Sequence, residues 1–450
     1  MPETFDLAVI GAGPGGHAAA EHAARCGARV AVIEKNGWGG TCTHRGCIPT
    51  KALLACSGAF AAQRRLKRLG VETGETSFDF TAMKRHQRQI VNLSALGTQK
   101  TLKEAGVALM EGTGRLISPD EVALIAPGGE ETRIKTRRIL IAWGSEPVVL
   151  PGISLSERVL TSDGFLALDM LPRSVAIVGG SVIGVEFATF LAELGVRILL
   201  IEMLAEILPG EEAEASMLLR QALTGLGVEI HVSTRLETIH ETASGVTLRA
   251  ASPAGILERS ADYALVCTGR RPVLHAEELE RLGISYDFKG IAVDGRQETN
   301  VEGIFAVGDV TGGTMLAHRA MRQGKALASR LYGDGSIRYD ERWTPAVAYA
   351  HPQIARIGLT EKQARDLGLP VEVRQADYGA NIMARTELKG QGFAKVLFHR
   401  GRLVGATIAG EDACELIAPL ALAVSQELDL SALRRWIIPH PTLSELLAIM

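Results

Sequence analysis

No apolar segment of this 450-residue chain is long and uninterrupted enough to span a bilayer, which argues against a membrane role. Charge of one sign is lacking too: the formal net charge is only −3, and Lys and Arg are scattered, so nothing would draw nucleic acid or an anionic lipid surface. The basic run Arg64-Arg65-Leu66-Lys67-Arg68 reads as a solvated helix face. Cysteine is scarce, with six in all, and Cys26, Cys56, Cys267 and Cys414 have neither pairing nor metal-ligand spacing. They read as small buried side chains, no metal site is expected, and a chain of this size buries ample core without disulfides. Low-complexity tracts are absent. Met1-Pro2-Glu3-Thr4-Phe5-Asp6 runs straight into a strand, so no targeting peptide is expected and a reducing cytoplasm is the default location.

The remaining two cysteines carry the strongest signal. Cys42 and Cys47 stand in Gly39-Gly40-Thr41-Cys42-Thr43-His44-Arg45-Gly46-Cys47-Ile48-Pro49-Thr50-Lys51. A bridge between them would close so short a loop that the chain-entropy gain is only ~2 kcal/mol, so stability is the weaker motive. On a regular helix their Cα atoms would lie roughly 7.5 Å apart along the axis, beyond bridging distance. The segment is therefore expected to be distorted, with Gly46 and Pro49 as the residues able to do it. A helix start nearby would favour thiolate and make a reversible dithiol. The plainer alternative is two unconnected core cysteines.

Leu7-Ala8-Val9-Ile10 is a strand run, followed by Gly11-Ala12-Gly13-Pro14-Gly15-Gly16, an alanine-rich helix over 17–26, and a second strand over 29–33 ending at Glu34. Strand, glycine turn, helix, strand and acid form the dinucleotide fingerprint in its proper context. Gly11, Gly13 and Gly16 let backbone approach a pyrophosphate, and Glu34 accepts from ribose hydroxyls. The pattern recurs as strand 174–178, turn Gly179-Gly180-Ser181-Val182-Ile183-Gly184, helix 185–194 and strand 197–201 ending at Glu202. Ser181 replaces the middle glycine, so its Cβ either weakens the site or its hydroxyl donates to phosphate. Glu202, with no arginine in Met203-Leu204-Ala205-Glu206, favours NAD over NADP.

The expected class is α/β: two Rossmann-like dinucleotide-binding domains followed by an α+β carboxy-terminal domain. Gly-Pro punctuation and a polar break set the divisions at 1–147, 148–270, 271–337 and 338–450, the first and third forming one domain. The third segment contains a short strand ending at Gly308-Asp309 and a helix over 315–332. Near the far end, His440-Pro441-Thr442-Leu443-Ser444-Glu445 places a carboxylate where it can orient an imidazole for proton transfer, although a histidine so placed is more often a surface residue. A nicotinamide moves hydride and a disulfide moves electrons through thiolates, so a flavin is needed to couple them.

Together, Gly11–Gly16, Gly39–Lys51, Gly179–Glu186, Gly269–Pro272, Ala306–Val310 and His440–Glu445 resemble the pyridine nucleotide-disulfide oxidoreductases over essentially the whole chain. Met315-Leu316-Ala317-His318, Ala346–His351, Ile357–Thr360 and Glu415–Ile417 resemble the branch that oxidises dihydrolipoyl groups with NAD+. A carboxy-terminal cysteine pair of the mercuric reductase kind is missing. The resemblance implies that Cys42 exchanges with the dithiol, Cys47 faces FAD, and His440, held by Glu445, is the base and serves the other subunit of a homodimer. It implies FAD contacts at Gly40, Thr41, Lys51, Gly114, Ala142, Gly144, Gly308, Asp309 and Met315 to His318. Gly179 to Gly184, Glu186, Glu202, Leu236 and Gly269 fall to NAD. The implied partner is a lipoylated protein of a 2-oxoacid dehydrogenase or glycine-cleavage complex. Two departures stand out. Trp143 replaces the usual threonine beside Ala142 and Gly144, either near FAD or as core, and His44 and Arg45 put positive charge near the cysteines or face solvent. Another flavin disulfide reductase, or a redox-sensing flavoprotein without turnover, is the alternative.

Overall fold

The structure is a computed structural model that describes residues 4–72 and 74–449, and the backbone alone of Arg64. Met1-Pro2-Glu3 and the Arg64 side chain of the basic run lie outside the described residues. The chain divides into two compact units, one of Met1–Pro49, Arg85–Val148 and Gly269–Asp340, the other of Thr50–Lys84, Val149–Thr268 and Glu341–Met450.

In the first unit, Ile304–Ala306, Ile139–Ile141, Leu7–Ile10, Val30–Glu34 and Ala108–Glu111 form a five-stranded parallel sheet in that order, with Leu7 paired to Val30 and Ile10 to Ile33. Both faces are covered, which is why its central strands read as unbroken apolar runs. The helix Pro14–Arg25 begins three residues before its expected start. Pro14 suits a first helical turn, where an amide hydrogen would be unpaired anyway. It packs against Ala317–Tyr332 so closely that a Cβ on Gly324 would stand 2.3 Å from the Gly15 carbonyl oxygen. That second helix starts at Ala317 rather than residue 315, because Leu316 is still extended. An antiparallel meander, Thr113–Ser118, Glu121–Ile125 and Glu131–Lys135, also belongs to this unit.

The second unit repeats the plan. Glu229–His231, Arg197–Ile201, Ser174–Val178, Tyr263–Val266 and Val159–Thr161 make a second parallel sheet, with the helix Val182–Glu193 following the central strand. Its own meander is Arg235–Thr242, Gly245–Ser252 and Gly255–Ala261. The carboxy-terminal part is a five-stranded antiparallel sheet covered by the apolar helix Ala413–Ser425. The α/β class with two dinucleotide-type folds and an α+β end is thus what the chain adopts. No helix among the described residues is long and apolar enough to cross a membrane.

Candidate active site

The cysteine segment is distorted as its spacing demands, and Gly46 does the work. A short helix, Gly40–Arg45, carries Cys42 and stops at Gly46 (φ −146°, ψ −105°), after which Cys47 opens a helix running to Leu66. Pro49 lies inside the first turn of that helix, where it disturbs nothing. Both cysteines are half-buried, and Cys47 occupies the positive end of a 20-residue helix, a place that favours an anion. Gln87, from the helix Phe80–Glu104, reaches the Pro49 carbonyl, and Ser94 of the same helix lies 3.3 Å from the Thr43 hydroxyl. His44 is not simply a charge beside the pair. Its Nε2 is 3.0 Å from the Trp38 carbonyl, and its ring packs where a Cβ on Gly37 would lie 2.7 Å from Nε2.

The two glycine turns match atom for atom. A Cβ on Gly11 would stand 2.3 Å from the Ala142 carbonyl oxygen, and one on Gly179 2.5 Å from that of Cys267. A Cβ on Gly16 would lie 1.9 Å from the Gly11 oxygen, and one on Gly184 2.0 Å from the Gly179 oxygen. The acids repeat too: Glu34 accepts from Ala12 N (2.7 Å) and Asn36 N (2.6 Å), as Glu202 does from Gly180 N and Leu204 N (both 2.7 Å). Each carboxylate is pinned by two backbone amides and keeps lone pairs for a ribose hydroxyl. Gly13 differs from the other glycines of its turn, since a Cβ there would meet nothing within 4 Å. Protein packing does not require that glycine, which leaves a cradle of the kind a pyrophosphate fills. Ser181, its counterpart, spends its hydroxyl on the Cys267 carbonyl at 3.0 Å rather than holding it free for phosphate.

Around the first turn, Asp309 accepts from the Ser145 hydroxyl at 2.6 Å, and Arg270 in turn donates to Ser145 Oγ and O, both at 2.8 Å. Gln323 holds Gly308 N at 2.8 Å. Thr41 sits on the short cysteine helix, and Met315 to His318 lead into the helix Ala317–Tyr332. Gly114 is demanded by packing, because a Cβ would lie 2.8 Å from the Ile10 side chain. Ser145 and Gln323 carried no sequence signal: a lone serine after a strand and a glutamine on a helix are commonplace.

Within the second unit, Lys51 donates to both Glu186 oxygens at 2.9 and 2.8 Å while its Nζ lies 4.6 Å over the Tyr349 ring. Tyr349 N adds a bond to the same carboxylate at 3.0 Å. Leu236 is the second residue of the second meander, and Gly269 falls in the first unit, its carbonyl accepting from Val148 N. His440 Nδ1 is 2.9 Å from Glu445 Oε1, and Thr442 N donates to Oε2 at 3.1 Å. The hydrogen bond from His440, then that from Thr442, holds the Glu445 carboxyl below its ordinary pKa. With Nδ1 engaged, Nε2 is the nitrogen available to a substrate proton, on a side chain that is 74% exposed. Cys42 and Cys47 belong to the first unit, Lys51, His440 and Glu445 to the second.

Of the other cysteines, Cys267 is buried, and burial raises its thiol pKa and that of Cys56 and pushes Cys414 up to about 12, so all three stay protonated. Three of the four correct the expectation of burial: Cys26 ends the helix Pro14–Arg25 and is exposed, and Cys56 and Cys414 are only half-buried. No cluster of metal-ligating side chains occurs among the described residues.

The family described as "Pyridine nucleotide-disulphide oxidoreductase" matches residues 5–324, and its dimerisation domain matches residues 344–450. The chain is 36% identical over 446 residues to a dihydrolipoyl dehydrogenase of Bacillus subtilis, covering 98% of this chain and 96% of that one. A dihydrolipoyl dehydrogenase of Chlamydia pneumoniae is 35% identical over 451 residues, covering 100% and 96%. Among solved structures, LpdA of Mycobacterium tuberculosis superposes with a TM-score of 0.91 at 27% identity, covering 98% of each chain. RclA of Escherichia coli, a flavoprotein disulfide reductase induced by HOCl, gives 0.86 at 27% identity and covers 99% of each.

Proposed function

Given that this chain belongs to the pyridine nucleotide-disulphide oxidoreductases, with FAD and NAD as cofactors and a dimerisation domain that supports a homodimer, we propose that it is a dihydrolipoyl dehydrogenase. Its substrate is then the dithiol of a lipoylated protein of a 2-oxoacid dehydrogenase or glycine-cleavage complex, and its setting the cytoplasm. Residues 1–147 and 271–337 would hold FAD, 148–270 NAD, and 338–450 the partner subunit. The open cradle at Gly13 and the pinned Glu34 fit the ADP half of FAD, and Gly179 to Gly184 with Glu202 fit that of NAD. Bound FAD supplies the passage of an electron pair between a dithiol and a nicotinamide.

The chain's own residues do the rest. One substrate thiolate attacks Cys42 of the oxidised pair, forming a mixed disulfide and releasing Cys47 as thiolate. His440 Nε2 takes the proton of the second substrate thiol, which then displaces Cys42 and leaves as the cyclic disulfide. Glu445 fixes the imidazole tautomer and stabilises its charged form. Lys51, locked by Glu186 and Tyr349, would offer a fixed positive charge to the bound FAD. Dithiol plus NAD+ yields disulfide, NADH and a proton.

The observation that carries catalysis over redox sensing is the His440–Glu445 hydrogen bond, since only turnover needs a repeated proton shuttle. The lipoyl substrate is supported by full-length likeness to two dihydrolipoyl dehydrogenases. The likeness to RclA keeps a second reading, a reductase of another small disulfide. NADH formation with dihydrolipoamide, against NADH or NADPH oxidation with lipoamide, glutathione disulfide and Hg(II), tests both. Absence of turnover with dihydrolipoamide would overturn the assignment.

A further inference from the structure

Trp143 is left unexplained by the reaction just described. Its ring is half-buried beside the apolar cluster of Ile10, Ile33, Leu116, Ile139 and Leu279. It meets His275 edge-on, with centroids 4.5 Å apart and planes at 78°. Core packing accounts for the ring but not for its polar atom: Nε1 is buried and, among the described residues, meets no acceptor. A buried indole N–H without a partner is a standing penalty that native proteins rarely keep, and it is removed when a ligand brings an acceptor.

The surroundings say which ligand. Ala142, the preceding residue, places its carbonyl against Gly11 of the first glycine turn. Burial, with Lys35 and Arg115 adding to it and Glu278 opposing, lowers the His275 pKa, so the ring against Trp143 is neutral. Lys35 follows the ribose-binding candidate Glu34, and Arg115 follows Gly114. Trp143 therefore stands among the residues that the sequence assigns to the ADP half of FAD, with two cationic groups near. We propose that Trp143 is an FAD-binding residue of this chain, its Nε1–H donating to an acceptor on the ADP half of the cofactor and its ring seated by His275. This rests on the chain holding FAD, not on the identity of the dithiol substrate.

Trp143→Phe keeps an aromatic ring against His275 and removes only the donor. Apoprotein of wild type and variant, freed of flavin by salt at low pH, is titrated with FAD by the quenching of flavin fluorescence, and its thermal midpoint is recorded without FAD. The expected result is FAD affinity weaker by about tenfold with an apoprotein midpoint that is unchanged or slightly higher. Equal FAD affinities would overturn the proposal, as would a loss confined to apoprotein stability, which marks Trp143 as core. As a second readout, the indole N–H of Trp143, identified by its absence from the Phe variant, should shift downfield when FAD is added. Wild-type protein that binds no FAD would also refute it. Dihydrolipoamide turnover is not needed, so failure here and failure of the substrate reading are separate results.

Discussion

Burial opposes the charged form of His351, yet the Glu193 carboxylate 2.7 Å from its Nδ1 outweighs that penalty and raises its pKa above the usual imidazole value. Glu411 adds to the rise and Arg65 works against it. Glu193 is buried and its other oxygen accepts from Ser57 at 2.6 Å. A raised folded pKa means stabilisation that is complete below about pH 6.5 and fades as pH climbs through the folded value. His351→Gln should therefore fall further below wild type in urea midpoint at about pH 6 than at about pH 9. An equal deficit at both would refute the ion pair's role. His440 differs because it is exposed. Its replacement by Ala should leave the urea midpoint alone and lower dihydrolipoamide turnover by ~10²–10⁴-fold, whereas Glu445→Gln should cost less, since the imidazole survives. A Glu445→Gln variant as slow as His440→Ala would mean that the carboxylate does more than orient.

At the scale of the element, the two glycine turns separate residues that the fold needs from those that packing leaves open to a ligand. Gly16→Ala drives a methyl to within 1.9 Å of the Gly11 oxygen and should yield little folded protein. Gly13→Ala meets no protein atom within 4 Å, so the apoprotein should melt as wild type does while FAD affinity falls. Loss of apoprotein stability in Gly13→Ala would show the cradle to be structural. Ser181→Gly should lower the KM for NAD+ with kcat little changed, because it restores the close approach that a Cβ limits. The strands 174–178 and 197–201 were legible residue for residue, since buried parallel strands are unbroken apolar runs ended by charge or glycine. The meanders were missed because half-exposed strands such as Glu131–Lys135 carry only one buried side chain among five. So was the long helix Phe80–Glu104, whose polar composition hides its period.

For the molecule as a whole, the base and the cysteines lie in different units of the chain, and the dimerisation domain includes His440. If His440 serves the partner subunit, inactive Cys47→Ser and inactive His440→Ala proteins, co-expressed and purified as mixed dimers, should regain activity through the one site that is intact. Mixed dimers with no activity would place base and cysteines in the same subunit. Sequence motifs single out the proposed chemical parts, because Cys42, Cys47, His440 and Glu445 stand out by type and spacing. They could not disclose the supports. Ser145, Gln323 and Tyr349 act through hydrogen bonds and ring contacts formed across 15 to 298 residues of chain, a separation that leaves no local pattern.

His44 fills the space beside Gly37 and ties down the Trp38 carbonyl, so the ring and the glycine pack as a pair. Position 37 is doubly held, since a side chain there would meet the ring and would also strain a backbone at φ +109°, whereas the histidine can change without disturbing the glycine. Glycine kept at 37, five residues before Cys42, while position 44, three residues before Cys47, changes among descendants would be the evolutionary trace of a strained turn rather than of a charge.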